Sequence, residues 1–237
     1  MNSIKKKLIA YGTFLFPSFF IGTEEEYMNI LNLISKWRNL KYDPTAIGQK
    51  SKLIEKDIDN ILKMTYNFKY SDYWVIFRKN GFLYIAKEES NLEKKFAVEK
   101  LNEILSIFTY YLDIPFHSVS YNEVQKIGHR NLTIKSIQYR SDTALAKLIS
   151  RQVHSPNKEY PFNNFITPKK IQNLIDKSII ICSHPNISQF LYFFQKASQF
   201  KYNYELGMAF LMYFLIIERF YRQRFDDLLK NSLLKKK

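Results

Sequence analysis

The clearest pattern of apolar and polar positions lies in the first half of the chain. Thr23 precedes Glu24, Glu25 and Glu26, and Tyr27, Ile30, Leu31 and Ile34 then recur at helical spacing. A hydroxyl that caps free N–H groups, followed by carboxylates at the positive end of a helix dipole, predicts a helix from Thr23 to about Leu40. After Asp43 and Pro44, the apolar Leu53, Ile54, Ile58, Ile61 and Leu62 repeat that period and predict a second helix. The β-favouring runs Tyr73 to Lys79 and Phe82 to Ala86 flank Asn80-Gly81. Asn-Gly accepts the positive φ angles of a two-residue type I′ turn, so a β-hairpin is expected. Residues 5–21, rich in aromatics and punctuated by Gly12 and Pro17, predict one or two short strands. A long helix is expected from Asn91 to about Leu112, with Phe96, Leu101, Ile104, Leu105 and Phe108 on one face and Pro115 beyond its end.

The second half reads differently. Residues 116–120 and 132–139 suggest two more strands, and from Asp142 the pattern turns helical. A short helix is expected over 142–152 and a loop or lobe boundary over 153–166, where Pro156 and Pro161 break the pattern. Thr167-Pro168 combines an N-cap with a proline at the first helical position, so a helix begins there. Another begins near Ser183 with Pro185 in its first turn, and a final helix runs from about Tyr202 to Leu229 or beyond. Its section from Leu206 to Ile217 is apolar on every side, which predicts burial among other helices. Gly207 inside that section predicts close approach of a neighbour. Glu218 and Arg222, one turn apart, predict an ion pair. The expected fold is α+β and mainly helical, with a mixed lobe containing the hairpin over residues 1–140 and a basic helical bundle over 141–237.

Composition narrows the classes. With 46% hydrophobic and 24% charged residues the chain has globular rather than disordered character. The apolar run Leu206 to Ile217 falls short of the roughly 20 residues a bilayer requires. Lys5-Lys6-Lys7 and the following apolar run lack a small-residue cleavage pattern. Both runs read as core, and no membrane span is expected. The single cysteine, Cys182, follows Ile179-Ile180-Ile181 and reads as a buried apolar group, which is compatible with a reducing cytoplasm. His117, His129, His154 and His184 are scattered, and the six glycines are isolated. This excludes a phosphate-cradling glycine loop and argues against a metal site; no cofactor and no catalytic set are expected.

Charge carries the strongest signal. Residues 126–237 hold 19 Lys and Arg against 7 Asp and Glu, whereas residues 1–125 hold 17 against 15. A field of one sign over one part of a protein attracts polyanions, and each phosphate contact releases counterions. The candidate phosphate-binding residues fall in two groups. Lys126, Arg130, Lys135, Arg140, Lys147 and Arg151 share their stretch with a single acid, Asp142. Arg219, Arg222 and Arg224 lie on the last helix. Tyr139, beside Arg140, is placed to stack on an unpaired base.

The long apolar helix that carries Tyr213, Ile216, Ile217 and Glu218, preceded by two shorter helices, resembles the C-terminal helical domain of HEPN proteins. The resemblance covers residues 167–234 and is closest to larger bacterial members, in which a mixed strand-and-helix region precedes the bundle. It implies membership of phage-defence or toxin systems, as a ribonuclease or as a non-catalytic partner. The catalytic signature of that superfamily is an Arg, four to six intervening residues and then a His, and no arginine here has a histidine at that distance. The resemblance therefore implies RNA or protein binding rather than metal-independent cleavage.

The function expected from these features is non-enzymatic binding of nucleic acid, RNA before DNA, in company with other protein subunits. Two alternatives stand beside it. One is a ribonuclease with an atypical site drawn from His129, His154, Arg130 and Arg151; the other is a scaffold whose basic face meets an acidic protein or an anionic membrane.

Overall fold

The computed structural model describes residues 8–17, 19–42, 49–70, 72–88, 92–127, 164–181 and 185–234. Strands β1 (Leu8–Phe14), β3 (Thr65–Tyr70), β4 (Tyr73–Arg78), β5 (Phe82–Glu88) and β6 (Gln125–Ile127) form one antiparallel sheet in the order β3-β4-β5-β1-β6. A parallel pair joins β2 (Phe19–Ile21) to β7 (Asn164–Ile166). The described helices are α1 (Glu24–Tyr42), α2 (Gln49–Lys63), α3 (Lys94–Leu112), α4 (Pro168–Ile181), α5 (Pro185–Tyr202) and α6 (Leu206–Leu234). The fold is α+β and mainly helical.

The chain divides into two compact units, residues 1–101 with 119–179 and residues 102–118 with 180–237. The expected division at residues 140 and 141 lies outside the described residues. Nearly all of α4 belongs to the unit that holds the sheet, and the second half of α3 belongs with α5 and α6.

In the sheet unit, β4 and β5 are central strands covered on both faces, so their side chains are apolar without alternation. Ala10, Ile76, Phe82, Tyr84 and Ala86 pack together with Phe14 and Trp74. A second cluster joins α1 and α2: Ile30, Ile34, Trp37, Ile58 and Leu62 close over Phe20, with Phe165 at its margin. The start of α1 is a capping box. The Thr23 N–H donates to Glu26 Oε2 at 3.0 Å, and the Glu26 N–H donates to Thr23 Oγ1 at 3.2 Å. At α4 the Lys170 N–H likewise donates to Thr167 Oγ1, confirming the start expected from Thr167-Pro168.

Four expectations need correction. The hairpin forms, but its turn is not type I′. Phe77 pairs with Leu83, leaving Lys79, Asn80 and Gly81 in a three-residue loop; the Gly81 N–H donates to the Arg78 carbonyl, and Gly81 takes φ 78°. The strand expected over 116–120 is absent. The Phe116 carbonyl instead accepts from the side-chain amides of Gln195 at 3.0 Å and Gln199 at 2.9 Å, which replaces strand pairing with side-chain capture. The last helix starts at Leu206 rather than Tyr202. Tyr204 adopts φ 62°, the Glu205 N–H reaches the Phe200 carbonyl and the Tyr204 N–H reaches that of Lys201, a helix-ending pattern usually built on glycine. Most consequentially, α6 is not buried, as described below.

Strands β3, β6 and β7 were not anticipated, and β7 occupies the end of the segment read as a loop. The expected strand over 132–139, the helix over 142–152, Asn91 and Cys182 lie outside the described residues.

Candidate functional site

In the helical unit, α5 packs against α6. Phe194 holds the contact between ring neighbours, with Tyr110 at 5.3 Å and Tyr213 at 6.1 Å. The buried Leu191, Gln195 and Gln199 lie along one face of α5, and Ala197 is buried on another. Among residues 206–229 of α6 only Ala209 is comparably covered, at 4% exposure, while Leu206 is 64%, Phe210 72% and Tyr221 69% exposed. The expectation that α6 is surrounded by helices is therefore overturned; it meets α5 along one side. Gly207 faces open space, with nothing within 4 Å of where a Cβ would stand, so it permits no close packing.

Two grooves lie between α5 and α6. The first, of about 450 Å³, is lined by Phe193, Glu218, Arg219, Arg222, Gln223 and Asp226, among others. The second, of about 430 Å³, has Phe190, Phe193, Phe220, Arg219, Arg224 and Asp227 in its walls. Arg219 and Gln223 border both. Arg222 opens into the first groove and Arg224 into the second, so the three arginines do not converge on one point. Arg222 donates to Glu218 Oε1 at 2.9 Å, the ion pair expected from their spacing. Both partners are exposed, so the pair adds little to stability.

Local charge differs between the grooves. In the first, two guanidiniums meet two carboxylates. In the second, Arg219 and Arg224 outnumber Asp227, and three phenylalanine rings supply apolar walls. A wall of aromatic rings beside guanidiniums can accept a base by stacking and its phosphate by charge. Over residues 206–229 as a whole, Arg219, Arg222 and Arg224 are balanced by Glu218, Asp226 and Asp227. Lys230 alone adds a net charge to α6, so nearly all of the positive excess of the second half lies outside that helix. Lys126 is exposed on β6 in the sheet unit. Arg130, Lys135, Arg140, Lys147 and Arg151, with His129 and His154, lie outside the described residues.

A polar cluster in the sheet unit went unrecognised in the sequence. Lys79, 4% exposed, donates to Glu26 Oε1 at 2.5 Å, and its ammonium stands over the rings of Phe20 and Tyr66. The Tyr66 hydroxyl donates to Glu26 Oε2. Desolvation works to raise the Glu26 carboxyl, but bonds from Lys79, the Thr23 N–H and Tyr66 outweigh it and hold it below its usual value. Partial burial and the adjacent Glu26 charge push the Tyr66 phenol up to about 12. The spacing of Thr23 and Glu26 could have announced the capping box, but nothing local announces Lys79.

Among the described residues no group of His, Cys, Asp and Glu could hold a metal ion, and no helix is long and apolar enough to cross a membrane. No protein-family model, curated protein or solved structure matches the chain.

Proposed function

We propose that the chain is a non-enzymatic nucleic-acid-binding protein, a subunit of a nucleoprotein or phage-defence assembly. The observation that carries this reading is the concentration of charge: 19 basic against 7 acidic residues over 126–237. Because the charges of α6 from Leu206 to Leu229 cancel, the principal phosphate contacts are assigned to Lys126, Arg130, Lys135, Arg140, Lys147 and Arg151. Arg219 and Arg224 play a secondary part, in a groove whose phenylalanine walls suit an unpaired base. Arg222, held by Glu218, contributes least. The HEPN resemblance of residues 167–234 supports RNA over DNA.

The test is titration of the full chain against labelled single-stranded RNA, single-stranded DNA and duplex DNA at several salt concentrations, with the nucleic acid then run on a gel. The expected result is uncleaved RNA and a log–log salt slope of about −0.7 per phosphate engaged. Charge reversal of Arg130 and Arg140 to Glu should weaken binding by about tenfold or more, because two phosphate contacts are replaced by repulsion. The same change at Lys52 and Lys95, in the charge-balanced half, should leave it within about twofold. Equal losses would remove the argument from charge asymmetry. Metal-independent cleavage would favour the ribonuclease reading.

A further inference from the structure

An apolar stripe runs along α6. Leu206, Phe210, Phe214, Ile217, Tyr221 and Phe225 succeed one another at spacings of four, four, three, four and four residues. That rhythm follows the 11-residue repeat, whose period of about 3.67 residues keeps such positions in line along a helix. All six are exposed, from 52% at Phe214 to 72% at Phe210. Ala209, Ile216, Arg219 and Gln223 occupy a different side of the helix, toward α5.

We propose that this stripe is the interface through which two copies of the chain associate, α6 against α6 about a two-fold axis. The argument has two parts. The first is area. Side chains of this size at these exposures present roughly 700 Å² per chain, close to the ~800 Å² each partner gives a standard interface and above the ~300–600 Å² patches that single chains leave uncovered. Leu211, Leu228 and Leu229, also exposed, extend it.

The second part is charge. The chain as a whole carries +14, so most approaches between two copies are repulsive. The segment that bears the stripe, Leu206 to Leu229, is the exception, since its three arginines are matched by three carboxylates, and Lys230 comes after the stripe has ended. A second copy brings the same charge-balanced segment, so the two stripes approach each other without the net repulsion that the rest of the chain would meet, and the same patch serves both copies as a two-fold interface requires. An anionic lipid surface would call for a basic rim instead. The association does not depend on nucleic-acid binding.

The test is the mass of the full chain in solution, by sedimentation equilibrium or light scattering, without nucleic acid. Wild type should show twice the 28.4 kDa of one copy. Phe214→Glu with Tyr221→Glu should raise the dissociation constant by about 100-fold or more, because buried aromatic anchors carry most of such an interface. Both side chains are exposed in the single chain, so far-UV circular dichroism should be unchanged. Phe210→Ser alone, a milder change, should weaken association in the same direction. Wild type at the mass of one copy would overturn the proposal, as would a double-copy mass that neither variant weakens. Flotation of single-copy wild type with phosphatidylcholine–phosphatidylserine vesicles would assign the stripe to a lipid surface instead.

Discussion

Two stretches invert the ordinary sorting of side chains. Arg78, at the end of β4, and Lys79 and Asn80, in the hairpin loop, are three consecutive polar residues that belong in water, yet each is at most 4% exposed. Leu206 to Phe225 carries Leu, Phe, Ile and Tyr where a core is expected, yet the stripe on α6 lies open. The difference lies in what each stretch finds to bond. The turn sits beneath β2 and the connection that precedes it: the Ile21 N–H donates to the Lys79 carbonyl at 3.0 Å, the Leu15 N–H to the Gly81 carbonyl at 2.8 Å, and the Lys79 N–H to the Met64 carbonyl. With its backbone groups satisfied and Glu26 beside its ammonium, Lys79 can leave water. The apolar stripe has no such partner within the described chain. Burial is thus decided by complementarity across space, and polarity along the sequence only sets how much complementarity is needed.

The comparison breaks most readily at Gly81. Its φ of 78° lies in the left-handed region, and an added Cβ would stand 2.8 Å from the Phe19 carbonyl oxygen. Gly81→Ala should therefore cost about 3 kcal/mol in chemical denaturation, from left-handed backbone strain together with displacement of β2. A loss under about 1 kcal/mol would mean that the turn is free to move away from β2.

Next in size is the pair beneath that turn. Glu26→Gln removes the carboxylate but leaves the buried Lys79 ammonium, whereas Lys79→Met removes the charge that needs a partner and keeps the stem's volume. Glu26 is itself partly exposed and rehydrates easily when Lys79 is gone. Glu26→Gln should cost about 2 kcal/mol and Lys79→Met about 1 kcal/mol, an asymmetry set by which group is left in low dielectric. Because the folded-state value of Glu26 lies below 4.5, its contribution is present above that pH and fades as pH falls through the folded value. Denaturation of wild type against Glu26→Gln from pH 7 downward should show the two converging in acid. A constant gap across that range would show that the carboxylate charge is not what stabilises the site.

These positions also mark how far local sequence carries. α1 and α4 were legible because Thr23 with Glu26 and Thr167 with Pro168 act within one turn of themselves. The hairpin was legible as a pair of β-favouring runs, but its turn type was not, because Gly81 is fitted to Phe19, over sixty residues earlier. The segment around Phe116 looked like a strand until Gln195 and Gln199, about eighty residues later, claimed its carbonyl. β3 has a period of two, with Phe68 and Tyr70 turned inward, but over so few residues that the alternation is a weak signal in sequence. Strands β6 and β7, at three residues each, are too short to show a period. Of the candidate phosphate contacts, the charge excess and the balance of Arg219, Arg222 and Arg224 by Glu218, Asp226 and Asp227 are both legible in sequence, but the division of Arg222 and Arg224 between two grooves emerges only in the structure.

The smallest expected effect separates the two regions most cleanly, because it is the same substitution with the opposite sign. Gly207 sits in the first turn of α6 with open space where a side chain would go. Alanine there meets nothing, restricts the unfolded chain and suits a helix, so Gly207→Ala should stabilise by a few tenths of a kcal/mol. If α6 were enclosed by helices, as its apolar sequence suggests, alanine at this position would press on a neighbour and destabilise. Thermal unfolding of Gly207→Ala beside Gly81→Ala therefore reads the openness of the helix directly. A gain at one glycine and a loss at the other shows that Gly207 is clear of its own chain's core while the polar turn lies within it; a loss at both would mean that α6 is pressed by a neighbour close to Gly207.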